Sequence, residues 1–242
     1  MRAPLFPGGV AVSDLHVYDD EAADGVCGGS PHLHTASSEG YVVTAGTGSV
    51  HTIDRDGAAV HPLEVGRVLW FSPGTVHRLV NDGGLQLLVV MQNSGLPEAG
   101  DAVLTFPDAI LDDPEGYRRA ATLTSGPRAD RALAARQRRD LATEGYLELL
   151  AAVDRDGPAA LERFHRRAAR LVQPRVAAWR ALWERTVAAE TERTRAQLDA
   201  LDSGSVGMLG DAAVRTSTAE PGERGYGMCG RLRTWNWTDG EQ

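Results

Sequence analysis

Pro31-His32-Leu33-His34-Thr35-Ala36-Ser37-Ser38-Glu39, closed by Gly46, is the stretch on which the reading of this chain turns. His32 and His34 stand two apart, so on a strand both imidazoles face the same side. Glu39 comes five residues after His34. A straight strand would send it to the opposite face. Residues 35–38 are turn-forming material, and a bend there returns Glu39 to the histidine side. Alternation from Glu39 onward brings Tyr41 and Val43 to that face as well.

A second piece follows. Gly66 opens a strand, Ser72-Pro73-Gly74 makes a turn, and His77 begins a further strand with Leu79 on its face. Three imidazoles and a carboxylate converging inside a small barrel suit a divalent transition metal. Imidazole serves zinc, copper, iron and nickel, and a carboxylate adds affinity for iron or manganese. His32, His34, Glu39 and His77 are therefore the candidate ligands. Tyr41 is the nearest candidate acid or base.

Working outward, charge and pattern divide the chain near residue 110. Up to Ile110 there are 4 arginines against 13 acids; from Leu111 onward there are 21 against 20. The first part reads as short strands at residues 41–45, 49–53, 67–71, 77–80 and 85–92. Asp56-Gly57 and Asp82-Gly83-Gly84 sit between them as hairpin connections. Close, regular spacing of short strands predicts an antiparallel sandwich or barrel.

After residue 110 the period becomes helical. Asp113-Pro114 reads as an N-cap followed by proline at the first helical position. Apolar stripes run through Tyr146, Leu149, Leu150 and Val153, then Leu161, Phe164, Ala168, Leu171 and Val172, then Val176, Trp179, Trp183 and Val187. The last stripe reads as a helix core or a dimer face. Gly157-Pro158 and Pro174 separate the helices. The expected division is residues 1–110 as barrel, 111–202 as a helical region and 203–242 as a glycine-rich tail. That tail is expected to be a loop whose end, Trp235-Asn236-Trp237, docks on the body.

The 242 residues carry a net charge of −8, and all 25 basic residues are arginine. The absence of lysine excludes Schiff-base chemistry and a lysine-dependent phosphate loop. Arg128, Arg131, Arg136, Arg138 and Arg139, then Arg163, Arg166, Arg167 and Arg170, are interleaved with acids. They read as a solvated helix face and not as a nucleic-acid surface. No run of 18 apolar residues predicts a membrane span. Two distant cysteines, Cys27 and Cys229, exclude a disulfide framework and point to a reducing, cytoplasmic setting. Cys27 reads as a buried inert thiol near the barrel mouth, and Cys229 has no assigned role. The N-terminus lacks the layout of a signal peptide, so the Asn236–Thr238 sequon carries no glycosylation expectation. His16, His51, His61 and His165 have no partners at ligand spacing and read as structural or exposed.

These motifs resemble those of the cupin superfamily. The first cupin motif runs His-x-His, three or four residues, Glu, six residues, Gly. His32, His34, Glu39 and Gly46 match it, with Gly25 one place from the leading glycine. The second runs Gly, five residues, Pro-x-Gly, two residues, His, three residues, Asn. Gly66, Gly74, His77 and Asn81 match, while Ser72 holds the proline position with Pro73 beside it. The resemblance covers residues 10–107 and implies a jelly-roll β-barrel followed by an α-helical C-terminal region. It carries the metal-ligand role onto His32, His34, Glu39 and His77, for iron, manganese, nickel or zinc. It also implies a small-molecule metalloenzyme, a dioxygenase first and an isomerase, epimerase or lyase second. The alternative is a non-catalytic sensing or binding module. Because cupin barrels commonly pair, a homodimer acting on a small molecule is expected.

Overall fold

Two long stretches rich in apolar and β-branched residues are each drawn into one long strand. The computed structural model of the protein describes residues 6–123, 125–219 and 221–235. Its strands are β1 (Ala11–Val17), β2 (His32–His34), β3 (Glu39–Asp54), β4 (Gly57–Glu64), β5 (Val68–Phe71), β6 (Val76–Met91), β7 (Ala102–Leu104), β8 (Gly225–Tyr226) and β9 (Gly230–Thr234). Among the described residues they form one antiparallel sheet in the order β4-β3-β6-β1-β9-β8. β5 joins β3, and the β2–β7 pair joins β6 through His32 and His77. The expected antiparallel barrel and the helical region after it are both present. The helices are α1 (Asp108–Leu111), α2 (Pro114–Ala121), α3 (Arg128–Asp156), α4 (Pro158–Val172), α5 (Val176–Trp183) and α6 (Ala189–Asp202).

Two expected hairpin signals have different fates. Asp56-Gly57 does reverse the chain, with Asp54 paired to Gly57. Asp82-Gly83-Gly84 does not, so residues 77–80 and 85–91 belong to the single strand β6. Likewise residues 41–45 and 49–53 both lie in β3. The Asn81 side-chain oxygen accepts from the N–H groups of Gly83 and Leu85, at 3.1 and 3.0 Å. Opposite it, the β3–β6 register slips between Val43 and Gly48. Gly46 has φ +70°, and a Cβ there would lie 2.2 Å from the Gly84 carbonyl oxygen. The turn residues thus build a bulge into a continuous ladder. The bulge shifts parity. Tyr41 and Val43 face the barrel interior before it and Val50 after it, while Ile53 faces outward.

Two apolar cores result. Inside the barrel lie Leu15, Val43, Val50, Leu63, Leu79 and Leu87. On its outer face Leu33, Ile53, Val76 and Leu104 pack against Tyr146, Leu161, Phe164 and Ala168 of the helices. The stripes on α3 and α4 are therefore the faces that bury. The predicted cap holds: the Asp113 side chain accepts from Glu115 N at the start of α2, and Gly157, at φ +65°, divides α3 from α4. Pro174 sits in a single 3₁₀ turn between α4 and α5. α3 approaches the barrel so closely that a Cβ on Gly145 would meet the Thr105 carbonyl oxygen at 2.2 Å.

Two expectations need correction. Part of the tail read as loop returns to the barrel, where β9 pairs antiparallel with β1, Leu232 opposite Leu15. Gly227 leaves room for Leu232 within this hairpin, and Gly230 lets it approach the body, since a Cβ there would touch the His16 carbonyl oxygen. Of Trp235-Asn236-Trp237, residues 236 and 237 lie outside the described residues, as does the sequon. The arginine face is also mixed. Arg163, Arg167 and Arg170 pair with surface carboxylates as expected. Arg138 and Arg139 are instead buried. Arg139 donates to the Asp20 carboxylate and to the carbonyls of Gly28 and Glu21, and Arg138 donates to the Gly227 carbonyl. Carbonyls left bare by the β1–β2 connection and the C-terminal hairpin take up these buried donors. Among the described residues no helix is long and apolar enough to cross a membrane.

Candidate metal centre

The bend at residues 35–38 brings Glu39 round to His32 and His34, as its spacing requires. It is held by Asn93 Nδ2 donating to the Ala36 carbonyl and Gln92 N donating to the Ser38 carbonyl. The Pro73-Gly74 turn carries His77 to the same point, and Gly74 N donates to the His34 carbonyl at 2.9 Å. One ligand atom from each of His32, His34, Glu39 and His77 lies within 4.8 Å of the others. Glu39 Oε2 is 3.2 Å from His34 Nε2 and 3.1 Å from His77 Nε2. All four residues are buried.

The rings are oriented from behind. His32 Nδ1 lies 2.9 Å from the Ser30 carbonyl, His77 Nδ1 3.2 Å from the Thr75 carbonyl, and His34 Nδ1 2.7 Å from Asp101 Oδ1. With each Nδ1 turned outward to a backbone or carboxylate oxygen, each Nε2 is aimed at the centre of the cluster. Glu39 Oε2 and His77 Nε2 are buried, and beyond the short contacts within the cluster itself neither has a hydrogen-bond partner. Polar atoms in that condition are costly unless something occupies the space between them. Borderline-soft imidazoles with one hard carboxylate fit a divalent transition metal.

The electrostatics are polarised. Burial alone would lower the pKa of His34, but hydrogen bonds to Asp101 and Glu39 push it up to about 10. Burial and the neighbouring His77 and His34 hold His32 well below the usual imidazole range. Burial alone would raise the Glu39 carboxyl, yet His77 and His34 keep it well below the usual range. The metal-free cluster is thus a His34 cation between two carboxylates, with a neutral His32 beside it.

Tyr41 lies on the same inner face, fully buried, and its hydroxyl has no hydrogen-bond partner. Burial, reinforced by the Glu39 charge and the Cys229 thiol, pushes its pKa well above the ordinary phenol value. Leu79 is ordinary barrel filling. Asn81 locks the bulge and donates to the Val17 carbonyl, away from the cluster.

Two residues at the site carried no signal in the sequence. Asp101 is fully buried behind His34, 67 positions away in the chain. Cys229 arrives on the C-terminal hairpin. Burial raises its thiol well above the usual range, with the Glu39 charge adding to the effect. Cys27, expected to be buried, is partly exposed and donates to the Asp19 carbonyl. Both cysteines are free.

The family model for the cupin domain matches residues 21–91. None of the curated proteins matches the chain. Among solved structures, the chain is similar to a conserved protein with a double-stranded β-helix domain from Klebsiella pneumoniae. The identity is 19%, over 39% of this chain and 77% of that one, with a TM-score of 0.30. It is also similar to a variant of oxalate decarboxylase from Bacillus subtilis, at 16% identity over 47% of this chain and 26% of that one, with a TM-score of 0.34. A cupin protein from Bacteroides fragilis is 21% identical over 36% of this chain and 68% of that one, with a TM-score of 0.27.

Proposed function

We propose, from the premise that residues 21–91 of this chain are a cupin domain, that His32, His34, Glu39 and His77 ligate one divalent transition metal in a small-molecule metalloenzyme of the dioxygenase type. The observation that carries this reading is the convergence of three Nε2 atoms and one carboxylate oxygen, two of them buried with no hydrogen-bond partner outside the cluster. The donor set admits iron, manganese, nickel or zinc. When bound, such an ion supplies Lewis acidity and open positions for substrate oxygens or O₂. The chain supplies the rest. Asp101 and the Ser30 and Thr75 carbonyls fix the three rings before binding, and the Phe71 ring, centred 4.4 Å from that of His77, covers the cluster on one side. Tyr41 is assigned as the residue that holds a proton near the site, because its phenol stays neutral at ordinary pH.

Elemental mass spectrometry on protein purified without a metal column tests this. Near-stoichiometric iron or manganese in the native chain, lost in His77→Ala, is expected. Oxygen uptake with catechol-like or dicarbonyl substrates should accompany it, and Tyr41→Phe should keep the metal while slowing turnover. Metal retained in His77→Ala would overturn the ligand set. Zinc or nickel would favour isomerase or lyase chemistry, and tight ligand binding without turnover would favour a sensor.

The expected homodimer belongs at β5. That strand pairs with β3 alone among the described residues, and it leaves Trp70 75% and Val68 55% exposed. The stripe on α5, read earlier as a core or dimer face, has Trp179 buried against the Ala99 carbonyl. Light scattering should show a dimer that Trp70→Asp splits; a monomeric native protein refutes it.

A further inference from the structure

A cavity of about 620 Å³ opens between the outer face of the barrel and helices α4 and α5. That volume lies within the range of small-molecule sites, about 300–1,000 Å³. It is separate from the metal centre. Leu33, which lines it, lies between His32 and His34 on β2 and faces away from them. None of the four ligand residues borders it.

The helical wall is apolar and partly aromatic. Val172, Val176, Trp179 and Trp183 recur at spacings of three and four and present one surface. Trp179 donates its indole N–H to the Ala99 carbonyl, so its contribution to the cavity is apolar ring. Val176 and Trp183 each remain 40% exposed, unlike the core stripes of α3 and α4.

One charge stands in this wall. Arg180 lines the cavity and is solvent-exposed. No ion pair or hydrogen bond engages its guanidinium among the described residues. The arginines of α4 and Arg175 are all engaged. Arg163 pairs with Asp156, Arg166 with Glu162, and Arg167 and Arg170 with Asp112, while Arg175 donates to the Gly100 carbonyl. A lone guanidinium fork beside an indole-lined hollow matches one planar carboxylate on an apolar body. Arg180 is the one arginine among the residues lining the cavity.

We infer that this cavity is a second binding site, taking a small aromatic or alkyl carboxylate whose apolar body lies against Trp179 and Trp183 and whose carboxylate pairs with Arg180. The inference stands apart from the metal reading.

Calorimetric titration of the full chain with 2-naphthoate and with neutral 2-naphthamide tests it. A single saturable naphthoate site is expected. Arg180→Gln should weaken naphthoate about tenfold, to the level of the amide. Ala169→Trp, on the exposed part of the lining, should fill the hollow and abolish both. Each substitution is at an exposed helical position, so if one variant misfolds the other still decides. His77→Ala, which removes a proposed metal ligand, should bind naphthoate as the native protein does. Absence of saturable binding to the native chain, or naphthoate affinity that survives either Arg180→Gln or Ala169→Trp, overturns the inference. Naphthoate binding lost in His77→Ala also overturns it, because the carboxylate would then sit on the metal.

Discussion

In the proposed site, His34 holds a proton that a metal would displace. Its two carboxylate neighbours raise its pKa to about 10, so the metal-free protein carries His34 as a cation at neutral pH. A ligating imidazole is neutral, so binding at pH 7.5 should release close to one proton. Affinity should therefore rise with pH, by about tenfold per unit, until His34 titrates near 10. Calorimetry in buffers of differing ionisation enthalpy measures this release. In Asp101→Asn the release should shrink, since the main raising partner has lost its charge; an unchanged proton count would refute the assignment. The sign for stability runs the same way. A raised imidazole pKa stabilises the metal-free fold below about pH 6.5, and that contribution is lost as pH climbs through about 10. The four clustered residues were legible in the sequence because their geometry is local, two short motifs that a strand and a turn suffice to aim. Asp101 and Cys229 were not legible. An acid after a glycine and a cysteine in a glycine-rich tail look like any loop residues until the fold delivers them.

The elements divide in the same way. Helices α3 and α4 were readable because an apolar stripe at helical period is itself the face that buries. The Asp82-Gly83-Gly84 segment was misread because turn chemistry reports a local backbone need and not a chain reversal. A bulge and a hairpin share those residues, and only the partner strand decides between them. The arginines of α3 show a further blind spot, since Arg139 is 1% exposed yet follows the same charge pattern as its solvated neighbours. What fixes α3 against the barrel is a glycine. Gly145→Val would force a side chain into the Thr105 carbonyl and the Phe106 backbone. The substitution should cost about 3 kcal/mol of stability, read as a lowered urea midpoint. An unchanged midpoint would mean that α3 is free to shift.

For the molecule as a whole, barrel and helices are not separate bodies. Leu33 and Val76 on the barrel and Phe164 on α4 belong to one core, and the C-terminal hairpin completes the sheet at β1. Deleting residues 225–242 should uncover the outer edge of β1 and expose the inner wall that Cys229 covers. A lower melting temperature and concentration-dependent light scattering are expected; a truncated chain as stable as the full one would count against this role for β9. The pairing of β1 with β9 also has a temporal side. Arg224 binds back to Asp14 across 210 positions of chain. A ribosome therefore releases β1 long before the strand that covers its edge exists. During that interval the nascent barrel carries an open strand edge, and it depends on speed of synthesis or on a chaperone to reach closure without recruiting a neighbour.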